Sequence, residues 1–229
     1  MTGKFRIILL LLIVFIIWKG FQYFTVFPKD PGIEELSNIV HAGDKNVNKI
    51  KVTVYYEALC SDSRNFIIKQ LVPTYNDLHD FIQLDLVPYG KAKTIEQNGE
   101  ISFQCQHAAT ECLANKIHAC GLEQIPDSAV QLQYVACMIN DNMIPHEVGE
   151  RCAQELGIVY DPISECANGN KGSELLKAHG IRTHAVNPAI SFIPTIELDG
   201  SQKVPLVHIL KNLHKELCNL FNTKPKVCL

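Results

Sequence analysis

Nine cysteines among 229 residues constrain this chain more than any other feature of it. A reducing compartment has little use for so many thiols unless metal holds them, so the count points to disulfides and therefore to export. Nine is also odd. Bridges can take up eight, and one sulfur is left over. With 47% apolar residues the chain can bury one sizeable core. Its 21 Lys and Arg against 24 Asp and Glu leave a net charge of -3, too balanced for a general polyanion binder, which excludes nucleic acid as a partner.

The first residues agree with export. Lys4 and Arg6 precede an uninterrupted apolar run from Ile7 to Trp18, the charged head and greasy middle of a secretory signal. No clear pair of small residues marks a cleavage point before Pro28, so residues 1–27 read as a signal peptide or as a signal anchor, the only route by which this chain would meet a membrane. Residues 28–49, with Pro28, Pro31 and Gly43 among charged and amide side chains, have the composition of a linker.

A domain is expected over 50–229. Ile50, Val52, Val54 and Tyr56 alternate with polar or exposed-type neighbours, as in a strand that ends near Cys60. Phe66, Ile67, Ile68 and Leu71 then share a helical face, with Pro73 expected to kink or close the helix. A second strand is expected over 81–87. From about 104 to 180 the pattern turns helical and carries six of the nine cysteines, with breaks expected at Gly121, Pro126, Pro145 and Pro162. Strand character returns over 190–198, Asp199-Gly200 marks a hairpin turn, and 206–220 reads as one closing amphipathic helix. Strands and helices in this order argue an α/β layered domain.

The leftover sulfur is best placed at Cys60. Cys105, Cys112, Cys120, Cys137, Cys152, Cys166, Cys218 and Cys228 form an even set without it, although their connectivity is open among about 105 pairings. A thiol attacks as its thiolate, and a cysteine where a strand meets a helix faces unpaired backbone N–H groups that favour the anion. Arg64, one turn on, adds favourable charge and Asp62 opposes it. The second element is Phe192-Ile193-Pro194-Thr195. A proline entering a strand is either an ordinary edge position or a cis bond whose neighbouring backbone stays free for a bound peptide.

A cysteine at a strand-to-helix junction, followed at a distance by Ile193-Pro194, resembles the thioredoxin-like fold. Tyr55-Tyr56-Glu57-Ala58-Leu59-Cys60, Leu86-Val87-Pro88-Tyr89-Gly90 and Cys105-Gln106-His107-Ala108 through Glu111-Cys112, Asn115 and Cys120 narrow this further. Together they closely resemble the gamma-interferon-inducible lysosomal thiol reductase family, with Ala108 where that signature carries glycine. The resemblance covers roughly residues 50–228 and implies a thioredoxin-like domain with a disulfide-rich helical insertion. It also implies an exported thiol–disulfide oxidoreductase, secreted or in the endosomal or lysosomal lumen, that reduces protein disulfides in immune or lysosomal protein handling. Cys60 would be the nucleophile, and Ile193 and Pro194 would contact substrate.

One departure touches the mechanism. The better-known members of that family carry Cys-x-x-Cys, and this chain reads Cys60-Ser61-Asp62-Ser63. Ser63 can hydrogen-bond a thiolate but forms no disulfide, so release of reduced substrate would need an external small thiol, with no bound cofactor. Two other readings stand beside this one: a non-catalytic binding protein using the same groove, and a cysteine hydrolase with Cys60 as nucleophile and a histidine as base. Cys105, His107, Cys112, His118 and Cys120 also suggest a zinc cluster, but their spacings fit no tight ligand pair and disulfides are expected instead. His107 is read as structural or solvent-facing. No Asn-x-Ser/Thr occurs, so sorting through an N-glycan has no attachment site in this sequence.

Overall fold

The computed structural model describes residues 13–19, 49–141 and 143–229. Contacts divide the chain into two units, 1–47 and 48–229. Of the first, residues 13–19 are helical and exposed. Most of the expected leader and all but the last residue of the expected linker lie outside the described residues. Among the described residues no helix is long and apolar enough to cross a membrane.

The second unit is built on a short sheet. Strand β1 (Ile50–Tyr56) is its centre, and every residue but Lys51 is buried. It pairs in parallel with β2 (Ile82–Pro88), from Ile50 opposite Ile82 to Tyr56 opposite Pro88. On its other side runs antiparallel β5 (Thr195–Leu198), with Tyr55 opposite Thr195. The order is β2-β1-β5. A strand buried on both faces takes Thr53 and Tyr55 inside along with Ile50, Val52, Val54 and Tyr56.

The helix joining β1 to β2 continues past Pro73. α1 (Ser61–Phe66) passes through a π-helical turn, Ile67–Leu71, into α2 (Val72–Leu78). A proline has no N–H for the carbonyl four residues back and its ring crowds that carbonyl, so the chain widens by one residue there and carries on instead of ending. The strand expected over 190–198 begins only at Thr195, because Pro194 cannot donate to a ladder, and the expected hairpin shrinks to a single bridge between Leu198 and Ser201. The closing helix is two: α8 (Leu206–Lys211) and α9 (Leu213–Leu220). Asn212 breaks out of helical geometry and its Oδ1 accepts the Lys215 N–H at 3.0 Å, capping α9.

The helical region comprises α3 (Ala108–Gln124), α4 (Ser128–Asn140), α5 (Pro145–Glu155), α6 (Asp161–Asn168) and α7 (Asn170–His184). Pro145 and Pro162 start helices, where their missing N–H costs nothing. Gly121 does not break α3; a Cβ there would lie 2.6 Å from the Tyr134 ring, so the glycine lets α4 close on α3. An antiparallel hairpin precedes these helices, β3 (Lys93–Gln97) and β4 (Glu100–Gln104). Its turn, Asn98 and Gly99, has both φ positive, at 53° and 83°, the geometry that suits the twist of a two-residue hairpin.

Two apolar clusters result. One joins the sheet to α1, α2, α4, α8 and α9 through residues such as Val54, Ile67, Leu78, Leu132, Ile196 and Leu217. The other lies among α3 to α6, around Ile117, Tyr134, Met138 and Ile163. Its walls carry two disulfides, Cys120–Cys166 and Cys137–Cys152; Cys105–Cys112 ties β4 to α3, and Cys218–Cys228 pins the C-terminus to α9. In the chain-entropy picture the 46-residue closure between Cys120 and Cys166 is worth about 4 kcal/mol and the 7-residue closure between Cys105 and Cys112 about 2.

Ala108, at the start of α3, has a φ of 63°. The left-handed region costs an L-residue about 1–2 kcal/mol, which accounts for the glycine of the family signature at this place. Ala108→Gly should therefore stabilise the protein by about 0.5–1 kcal/mol after the extra freedom of the unfolded chain is subtracted, a rise of about 2 °C in the thermal midpoint. Calorimetry of the two proteins checks this.

Candidate active site around Cys60

The turn between β1 and α1 is where chemistry can occur. Cys60 occupies the N-cap of α1 with extended backbone angles, its N–H donating to the Glu57 carbonyl at 3.3 Å and its carbonyl accepting the Arg64 N–H at 3.0 Å. It is half-buried, and it is the free cysteine of the chain, the other eight being bridged. Its thiol lies 3.7 Å from the Ile193 carbonyl oxygen. The register explains this contact across 133 residues: β5 runs antiparallel to β1 with Thr195 beside Tyr55, so residues before 195 lie alongside residues after 55. The Ile193–Pro194 bond is cis. Cys60, Ile193 and Pro194 are thus together at one end of the sheet.

Ser63 is fully buried, and the bond it makes is with the Glu57 N–H, which donates to its Oγ at 3.3 Å. Arg64 is exposed and one helical turn from Cys60, while Asp62 lies on another face of α1, toward Phe192. Two recesses flank the turn accordingly. One, of about 160 Å³, is lined by Cys60, Ser61, Arg64 and the end of α4 at Asn140 and Asp141. The other, of about 210 Å³, lies between Asp62, Phe66 and Lys69 and the side chains of Phe192 and Leu210.

The turn itself is held by one face of α3. Glu111, Asn115 and His118, spaced i, i+4 and i+7, are all fully buried. Asn115 Oδ1 accepts the Ala58 N–H at 2.9 Å, and His118 Nδ1 lies 3.0 Å from the Tyr56 hydroxyl. Burial pushes the His118 pKa down to about 3, so this imidazole is neutral in any ordinary compartment. Glu111 reaches the turn through His107, whose Nδ1 is 2.6 Å from Glu111 Oε2 and 3.9 Å from Glu57 Oε2.

Glu57 is 1% exposed and lies under Gly90, where any Cβ would overlap its side chain. Its Oε1 accepts the Lys91 N–H at 2.7 Å, and the Gln106 amide, turned to donate, lies 3.1 Å from both carboxylate oxygens. Burial raises its pKa, helped by the nearby Glu111 charge and opposed by the Lys91 N–H and by His107. Glu57, His107 and Glu111 are the set among the described residues whose ligand atoms come close enough to one another to share a metal ion. The thiols of the sulfur–imidazole cluster suggested by the sequence are tied up in Cys105–Cys112 and Cys120–Cys166.

Sequence reasoning passed over Glu57, the polar face of α3, and the Asn140–Asp141 wall. A signal existed for the second: Glu111, Asn115 and His118 recur at helical spacing, on one face of the helix. A hydrolase would need a base against Cys60, but the sulfur's partner is a backbone carbonyl, and His107 and His118 are engaged by Glu111 and Tyr56.

Known proteins resemble this chain in sequence and in fold. The gamma interferon inducible lysosomal thiol reductase family profile matches residues 51–156. A gamma-interferon-inducible lysosomal thiol reductase-like protein of Anopheles gambiae is 33% identical over 198 residues, spanning 80% of this chain and 81% of its own. The gamma-interferon-inducible lysosomal thiol reductase of Mus musculus is 31% identical over 184 residues, 78% of this chain and 71% of its own. Among solved structures, DsbA of Chlamydia trachomatis superposes with a TM-score of 0.56 at 17% identity, over 79% of this chain and 92% of that one. The reduced form of DsbG from Mycobacterium tuberculosis gives 0.50 at 17% identity, over 81% and 84%. The fold is thioredoxin-like, with the disulfide-rich helices inserted between β4 and β5.

A carboxyl whose proton affinity is raised by folding contributes stability that is full below the ordinary glutamate range and lost as pH rises through the raised value. Glu57→Gln keeps an oxygen for the Lys91 N–H and cannot ionise. On going from pH about 4 to about 7 the native protein should therefore lose stability relative to Glu57→Gln. Denaturant midpoints across that range measure the difference, in which the opposite pH dependence of His118 cancels.

Proposed function

Since the chain belongs to the gamma-interferon-inducible lysosomal thiol reductase family, and so to the thiol–disulfide oxidoreductases, we propose that it reduces protein disulfides as a monothiol enzyme through Cys60. The observation that carries this reading is a single unbridged thiol, half-exposed at a helix N-cap and 3.7 Å from the backbone of the Ile193–Pro194 loop. The Cys60 thiolate attacks one sulfur of a substrate disulfide, forming a Cys60–substrate bond and expelling the substrate's other sulfur as a thiolate. In relatives with Cys-x-x-Cys the second cysteine then attacks the first. Here Ser63 stands in its place, and an external thiol must do so.

Exposed apolar side chains support a polypeptide substrate. Phe192 on the loop and Met143 beyond α4, which line the two recesses beside α1, are 41% and 70% exposed, apolar edges suited to the unfolded chains that present disulfides for reduction. In this reading Ile193 and Pro194 align the substrate backbone, the four bridges fit an oxidising lumen, and the chain acts after secretion or in endosomes and lysosomes, including immune protein handling. Residues 1–27 would direct export and 28–49 link them to the 50–229 domain.

With a disulfide-bonded peptide and no small thiol, the protein should stop at one covalent peptide adduct per chain, and Cys60→Ala should form none. Pre-reduced Ser63→Cys should instead release fully reduced peptide once per chain, leaving an internal bridge from Cys60 to the introduced thiol, as i and i+3 at a helix start lie within disulfide reach. Intact-mass measurement separates these outcomes. Release of reduced peptide by the native protein alone would overturn the monothiol reading.

A further inference from the structure

We infer that the polypeptide substrate lies along a groove between α4 and the helix that starts at Cys60, and that this groove selects chains with an apolar side chain four or five residues from the attacked cysteine. The inference deepens the reading of Cys60 given above and rests on it.

Helical spacing builds the groove. Arg64, Ile68 and Val72 follow at intervals of four; Arg64 lines the recess at Cys60, and Ile68 and Val72 line the next hollow along. On the facing wall Gln133, Ala136 and Asn140 recur at intervals of three and four on α4. Asn140 borders both the recess and the hollow, so the two form one path leading away from the sulfur. No residue of the 192–194 loop lines either, and a substrate backbone held at that loop can continue into the path without obstruction by it.

The floor of the path is apolar. Ile68, Val72 and Ala136 pack on the cluster of the sheet and Leu156 on that of the inserted helices, yet each of the four stays partly exposed. The groove thus follows the seam between two cores, where neither covers these side chains fully, and it opens at the one thiol that can bond a substrate. Charges stay on the rim, where Arg151 lies 3.7 Å from Asp141 and 3.9 Å from Glu155.

Geometry sets the register. A helix rises about 1.5 Å per residue, which puts Ile68 about 12 Å and Val72 about 18 Å along the axis from Cys60. A chain joined to Cys60 through its own cysteine, and extended at about 3.3 Å per residue, covers that distance in four or five residues. A leucine at that place meets the half-covered floor. One next to the cysteine falls short of it.

The test lets two peptides compete for Cys60 of the full-length protein in a buffer of reduced and oxidised glutathione. Both are Gly- and Ser-rich with a single cysteine; one carries a leucine at a chosen distance from it, on either side, and the other a serine there. Intact mass reads the ratio of the two Cys60 adducts, in which the reactivity of the sulfur itself cancels. Leucine four or five residues away, on one side, should win about fivefold, the worth of burying roughly half its side chain, and leucine one, two or eight residues away should win little. Ala136→Glu should bring the fivefold ratio to about one. Val72→Thr, nearly the same shape, should lower it about twofold and keeps the test open if the first variant does not fold. A ratio independent of leucine position, a maximum beside the cysteine, or a fivefold ratio that survives in a folded variant would overturn the groove and leave the Cys60 reading standing. Failure of the native protein to form a Cys60 adduct with any peptide would overturn both.

Discussion

The Ala58 N–H donates to a buried asparagine on α3, and that bond stands at the centre of a small set that holds the four-residue turn from Glu57 to Cys60. Tyr56 before the turn meets His118, and Glu57 at its start meets the His107–Glu111 pair, so three successive residues are gripped by one helix face. Apart from the exposed His107, these polar groups are inside the protein, where an unmade bond costs about 1–3 kcal/mol. The turn therefore has one inexpensive conformation. That conformation sets the start of α1, the N-cap position of Cys60, and the face of α1 that meets each recess.

The disulfides make this grip possible. α3 begins at Cys105–Cys112 and carries Cys120, whose bridge to Cys166 fastens it to α6 across 46 residues. The inserted helices have their own apolar cluster, separate from that of the sheet. A helix held on one side by covalent bonds and packing can present a polar face on the other without sliding. Four bridges also remove from the site every thiol that would compete with Cys60, which is what a reagent that works by thiol exchange requires.

Ser63 shows how a site can keep its geometry and change its chemistry. Its hydroxyl is buried and accepts the Glu57 N–H, so it still ties the first turn of α1 to the end of β1. Oxygen supplies that bond, but a hydroxyl has no route to a disulfide. The electrons that a second cysteine would supply cannot come from this hydroxyl.

Cysteine parity, the β-branched strand before Cys60 and the proline 134 residues later were enough, read in sequence order, to indicate a thioredoxin-like chain with one unbridged sulfur. The Asn98-Gly99 hairpin was legible in principle as well, because that dipeptide accepts two positive φ angles. These are local properties: periodicity, parity and backbone preference act within a few residues. Only the tertiary structure decided which cysteines pair, that Glu57 lies buried beneath Gly90 and beside Gln106, His107 and Glu111, and that Arg64 and Asp141 share a recess. Those neighbours come from separate elements, and their charge and hydrogen bonding depend on distances that exist only after β1, α3 and α4 have packed. The sequence alone carries what each residue prefers by itself, and the fold decides what stands next to it.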